Sequence, residues 1–159
     1  KMSDRKMSRS NSIQTELLGE WNLLSSENFD KFLEKLGVET VHRQISILQS
    51  TTLTIALEDN VWTIFTEGAF AIHRTVFEIG KENEERTSDG RLVTTKWSIE
   101  KDKKLRWHEK NQTTGVEMHC ELYVKNDQLI QKMKCSGVKA KRTYAKSRIC
   151  ALRRLSSVF

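Results

Sequence analysis

At 159 residues, with 37% hydrophobic and 30% charged side chains and no proline, the chain has the size and composition of one globular domain. That excludes a multidomain enzyme, a disordered polymer and a helical membrane protein, because no run approaches the ~20 apolar residues a spanning helix needs, and the basic N-terminus lacks the apolar block of a secretory signal. The net charge of +6 sits at the ends: Lys1, Arg5, Lys6 and Arg9 against Asp4 give +3, and Lys146, Arg148, Arg153 and Arg154 give +4. Residues 10–145 carry −1 by difference, which predicts no continuous Lys/Arg face and no nucleic-acid partner.

Residues 1–13 are polar, basic and without periodicity, and read as a flexible arm; the body is expected over 14–146 and a basic tail over 147–159. From Ser26, read as a helix N-cap, Phe29, Phe32, Leu33 and Leu36 recur at i, i+3, i+4, i+7, and Gly37 is placed to stop the helix. Glu39 to Gln49 predict a second short helix with Val41, Ile45 and Leu48 on one side and Arg43 on the other.

Everything downstream alternates, the period of half-buried strands. Thr51, Leu53, Ile55 and Leu57 share a face, as do Trp62, Ile64 and Thr66, then Thr75, Phe77 and Ile79, then Arg91, Val93, Thr95, Trp97 and Ile99. Leu105, Trp107 and Glu109 follow, opposite Arg106, His108 and Lys110; next come Val116, Met118, Cys120, Leu122 and Val124, opposite an outward set that includes His119. Leu129, Gln131, Met133 and Cys135 continue the pattern, and a strand over Val138 to Lys146 turns Ala140, Arg142 and Tyr144 inward. Tight turns such as Glu58-Asp59-Asn60 and Lys125-Asn126-Asp127 join eight or more such segments, so an antiparallel barrel is expected, with the two helices inserted after the first strand.

Several inward positions are polar: Thr66, His73, Arg91, Glu109, Gln131 and Arg142. An unpaired buried charge is expensive, so these groups either pair with one another or face a water- and ligand-holding cavity, which is the expectation preferred here. His73 is expected to bond Glu109 or a cavity water. No Gly-rich phosphate loop, nucleophile elbow or metal-ligand spacing is visible, and three scattered cysteines suit a reducing compartment. No enzyme activity, cofactor or metal is expected, and Cys120 reads as an inert buried thiol rather than a reactive one.

The run Leu17-Leu18-Gly19-Glu20-Trp21-Asn22-Leu23, followed by Ser25 to Asp30 and Leu36-Gly37-Val38, resembles the start of the intracellular fatty-acid-binding proteins. Arg86 to Arg91 and Arg142-Thr143-Tyr144 match the same family in the right order. The resemblance implies an all-β, ten-stranded up-and-down barrel of the calycin type, a helix-turn-helix lid and an enclosed lipid. It also implies that Arg142 and Tyr144 hold the lipid carboxylate. A second arginine of the family pattern is replaced by Cys120, so Gln131 is read as a helper at the headgroup.

The apolar wall and portal are expected from Phe29, Leu33, Leu36, Arg43, Leu53, Ile55, Trp62, Ile64, Thr66, Phe70, Phe77, Arg91, Val93, Trp97, Trp107, Met118 and Met133. Trp21 is read as a barrel-bottom residue, and the bulk of Trp62, Trp97 and Trp107 predicts a narrowed or reshaped cavity. The expected function is non-covalent carriage of one long-chain fatty acid by a cytoplasmic monomer, with the nucleus as a second location. Two alternatives stand. If Glu109 neutralises Arg142, a neutral headgroup such as a retinoid competes; or the cavity is plugged and the basic ends act on acidic membranes or partners. Ile149, Leu152 and Leu155 beside Arg148, Arg153 and Arg154 fit either a frayed tail or a short amphipathic helix touching anionic membranes.

Overall fold

The computed structural model describes residues 16–48, 50–68 and 72–148. The expectations for the N-terminal arm, for Phe70 and for the tail beyond residue 148 lie outside the described residues. Within them, β1 (Gly19–Glu27) is followed by α1 (Phe29–Leu36) and α2 (Thr40–Leu48). The chain then runs through β2 (Thr52–Glu58), β3 (Val61–Glu67), β4 (Ile72–Glu78), β5 (Glu82–Arg86), β6 (Leu92–Ile99), β7 (Leu105–Asn111), β8 (Glu117–Lys125), β9 (Gln128–Cys135) and β10 (Val138–Lys146).

All ten strands form one antiparallel sheet in the order β4-β3-β2-β1-β10-β9-β8-β7-β6-β5. Each strand pairs with its chain neighbour except β4 and β5, and β1 closes the sheet by pairing with both β2 and β10. The hairpins are short because both central residues of β2–β3 (Asp59, φ 50; Asn60, φ 67) and of β8–β9 (Asn126, φ 52; Asp127, φ 60) are left-handed, the twist that matches a two-residue turn. Asn and Asp tolerate that conformation at little cost.

Ser26 does not cap the first helix. β1 continues through it, pairing Ser26 with Arg142 and Glu27 with Lys141, past a register shift between Leu23 and Ser25. The turn into α1 is made instead by Asn28 at φ 57, whose Nδ2 donates to the Lys139 carbonyl at 2.7 Å and pins the lid to β10. At the other end Gly37, at φ 96, donates to Glu34 O and Val38 N donates to Leu33 O, a Schellman closure that needs a residue without a Cβ.

The buried stripe of α1, Phe32, Leu33 and Leu36, packs with Met118, Cys120, Met133, Cys135 and Ala140 from β8, β9 and β10. A second cluster fills the opposite end of the barrel, with Trp21, Leu53, Ile55, Trp62, Phe77, Trp97, Leu105, Leu122, Leu129 and Tyr144. The helix α2 is held less firmly. Its predicted apolar side is largely exposed at Val41 (64%) and Ile45 (39%), and the side chain of Leu48 lies outside the described residues.

The missing β4–β5 ladder is replaced by side chains. Asn83 Nδ2 donates to Val76 O at 2.9 Å and Thr75 Oγ1 donates to Glu85 Oε1 at 2.7 Å, while the turn between the two strands is anchored to β6 by the Gly80 amide, which donates to Trp97 O at 2.8 Å. Beneath them four rings stack in sequence across β3, β4, β6 and β7. Trp62 lies 6.0 Å from Phe77, Phe77 lies 3.7 Å from Trp97, and Trp97 lies 4.4 Å from Trp107, centroid to centroid. Strand β5 carries no apolar alternation in Glu82-Asn83-Glu84-Glu85-Arg86, which is why periodicity alone does not reveal it.

Candidate functional site

A cavity of about 530 Å3 lies inside the barrel, lined by members of both apolar clusters and by both lid helices. That is within the roughly 300–1,000 Å3 span of small-molecule sites. Of the residues expected at the ligand, Phe29, Leu33, Leu53, Ile64, Thr66, Arg91, Trp97, Trp107, Met118, Gln131 and Arg142 line it. Others sit behind it. Ile55, Trp62, Phe77 and Tyr144 belong to the barrel-end cluster, Leu36, Cys120 and Met133 to the lid cluster, and Val93 is wholly buried. Arg43 faces neither; its Nε donates to Asp30 Oδ1 at 3.1 Å and ties α2 to α1.

The polar lining falls into two groups. In the first, Arg142 on β10 is 7% exposed and its partners among the described residues are neutral: Nε donates to Ser26 Oγ at 3.1 Å and Nη2 to Thr51 Oγ1 at 3.5 Å. Its guanidinium lies 4.1 Å from the centroid of the Phe29 ring on the lid and 5.9 Å from that of Tyr144. No carboxylate among the described residues reaches it within ion-pair distance. Burial therefore pulls its pKa below the usual arginine value. The Tyr144 hydroxyl donates to Gln131 Oε1 at 3.1 Å, and Gln131 Nε2 lies 3.9 Å from Cys120 Sγ. Burial raises both the Tyr144 hydroxyl and the Cys120 thiol, favouring the protonated form of each.

In the second group the charges neutralise one another. Arg91 bonds Asp89 through Nε at 2.7 Å and Nη2 at 3.2 Å, and bonds Glu109 through Nη1 at 2.8 Å. Burial raises the Glu109 carboxyl against the opposing pull of Arg91. Burial also pushes Asp89 upward, but hydrogen bonds from Arg91 and Thr87 outweigh it and hold that carboxyl below its ordinary value. The pairing of Glu109 with Arg142 is thus overturned. Glu109 stands on β7 and Arg142 on β10, three strand spacings or roughly 14 Å along the sheet, while Arg91 immediately precedes β6, the strand next to β7.

His73 does not bond Glu109: its Nε2 lies 2.7 Å from Glu85 Oε1, across the β4–β5 seam. Glu85 and Asp89 line the cavity without having been signalled by the sequence pattern, because β5 and the following turn have no apolar face to register them; Thr75, read inward on β4 from alternation, lines it as well. The hydrogen bond to Glu85, with the charges of Glu85 and Asp89, raises the His73 pKa above 6.5 despite burial. A raised histidine contributes stability that is complete below pH 6.5 and lost as pH climbs through the raised value. The melting temperature is expected to fall over that window by the equivalent of about 1 kcal/mol, and His73→Gln to flatten the profile. Thermal melts at stepped pH check this; an unchanged slope in His73→Gln would remove the seam pair as its cause.

The model of the lipocalin / cytosolic fatty-acid binding protein family matches residues 18–147. The human intestinal fatty acid-binding protein is 34% identical over 126 residues, covering 79% of this chain and 95% of the relative. Fatty acid-binding protein homolog 6 of Caenorhabditis elegans is 28% identical, covering 84% and 99%. Among solved structures, a Schistosoma mansoni fatty acid binding protein in complex with arachidonic acid is 30% identical, with a TM-score of 0.78, covering 83% of this chain and 96% of that one.

Proposed function

Because the chain belongs to the lipocalin / cytosolic fatty-acid binding protein family, we propose that it binds one long-chain fatty acid non-covalently in the barrel cavity and carries it through the cytosol, with Arg142 taking the carboxylate. The observation that carries this reading is the buried Arg142 guanidinium at the cavity, bonded among the described residues to two hydroxyls and no carboxylate. A buried cation without a counter-charge is costly, and a ligand carboxylate supplies the missing charge along with bidentate acceptors. Gln131, held by Tyr144, presents the remaining polar surface beside it.

The neutral-headgroup alternative depends on Glu109 cancelling Arg142, and Glu109 is spent on Arg91. Retinol would leave the guanidinium uncompensated. Displacement of a fluorescent fatty-acid analogue from the delipidated full chain tests this. Oleate is expected to displace it at concentrations about tenfold or more below those needed for retinol, since a missing charged partner costs at least a factor of ten. The reverse order would sink the carboxylate assignment while leaving the cavity intact.

A further inference from the structure

A second concavity, of about 540 Å3, lies on the outer wall of the barrel over β8, β9 and β10. Its floor is the backbone of Cys120, Met133 and Ala140, which stand opposite one another in register. The outward side chains one position before and after each of these form its two walls. One wall is Lys139, Lys134 and His119, and that row continues through His108 to Lys96. The other is Lys141, Lys132, Glu121 and Arg106. The two rows are interrupted by His119, His108 and Glu121 and form no continuous Lys/Arg face, but register gathers four lysines scattered in sequence into one local cluster across β9 and β10.

Lys134 lies directly opposite Lys139, and Lys132 directly opposite Lys141. Like charges so placed repel and destabilise a sheet, and among the described residues none of the four lysines makes an ion pair. Glu27 faces Lys141 and Glu121 faces Lys132 across the strands, but neither closes to ion-pair distance, and Glu121 is held instead by Lys104 at 3.4 Å and Arg106 at 3.5 Å; Lys134 and Lys139 have no acid opposite them. An external anion is the partner this arrangement lacks.

We propose that this groove docks an extended, acidic polypeptide segment of a partner protein. The walls stand two residues apart along each strand, roughly 7 Å, a width for one linear chain and a recess that a flat bilayer would not fill. Glu27 and Glu121 would repel a uniformly charged polyphosphate at each end, whereas a polypeptide can place neutral or basic residues against them. No phenylalanine, tyrosine or tryptophan among the described residues lines the groove for a base to stack on: the His119 ring packs against His108 at 4.7 Å, and Tyr123 is covered by the Lys104 and Lys132 amines at 4.4 and 5.9 Å. This proposal is independent of what occupies the cavity.

Fluorescence anisotropy of a labelled peptide of alternating glutamate and serine, titrated with the full chain, tests it. The variant K132Q/K134Q/K139Q/K141Q is compared with K81Q/K101Q/K103Q/K125Q, which removes the same charge elsewhere. Peptide affinity is expected to fall about tenfold in the groove variant and less than about twofold in the control. The groove variant should also melt no lower than the wild type, because it relieves repulsion, so loss of binding is not loss of fold. An oligothymidylate and phosphatidylserine vesicles, run in parallel, should not distinguish the two variants. No peptide binding to the wild type, equal losses in both variants, or a groove-dependent loss for the oligonucleotide or vesicles instead would each overturn the proposal.

Discussion

Trp97→Ala is expected to lower the unfolding free energy of the delipidated protein by about 4 kcal/mol, the upper part of the range for removing a buried aromatic. Trp97 is 4% exposed and stacks on Phe77 at 3.7 Å and on Trp107 at 4.4 Å. It joins β6 to β4 where backbone pairing stops, so its removal opens a cavity and also breaks the ring contact that spans the seam. Trp97→Phe should cost much less, about 1 kcal/mol. It keeps a ring between Phe77 and Trp107 and deletes an indole N–H that is buried without a partner among the described residues. Urea denaturation followed by far-UV circular dichroism measures both. If the alanine variant loses no more than the phenylalanine variant, the ring stack does not hold the seam.

The seam also marks where sequence reading works and where it stops. Strands that face an apolar core, such as Val138–Lys146, declare themselves by alternation because every second side chain is buried. The β5 strand faces the cavity with Glu85, and Asn83 and Glu85 bond β4 instead of packing in a core, so no alternation exists to be read. Ser26 misleads for a related reason. A serine before an amphipathic run is a cap signal, yet the pairing of β1 with β10 carries the strand through it, and that pairing joins residues far apart in the chain. In the site, the inward position of Arg142 follows from parity within one strand. Whether a carboxylate reaches it follows from strand order, because the neighbours across the sheet decide whether Glu109 meets Arg91 or Arg142.

Arg142→Met should move stability and affinity in opposite directions. Methionine fills a similar volume and packs beside Phe29 and Tyr144 without a charge to desolvate. Replacing a buried charge by an apolar group of similar size is commonly neutral or stabilising, so the delipidated variant is expected to match or exceed the wild type by about 1 kcal/mol. The groups left behind, Ser26 Oγ and Thr51 Oγ1, are hydroxyls that lose one neutral bond each, a smaller loss than an orphaned carboxylate would suffer. Oleate affinity, in contrast, should fall by about tenfold to a hundredfold, the worth of a charge-assisted bond to a carboxylate. Calorimetric melts of the delipidated proteins and oleate titrations decide it together. A variant that loses stability and keeps oleate would make Arg142 a structural residue and move the carboxylate elsewhere in the cavity. The expected pair of results would instead identify a side chain retained against the stability of the empty barrel, which is the mark of a group kept for its ligand.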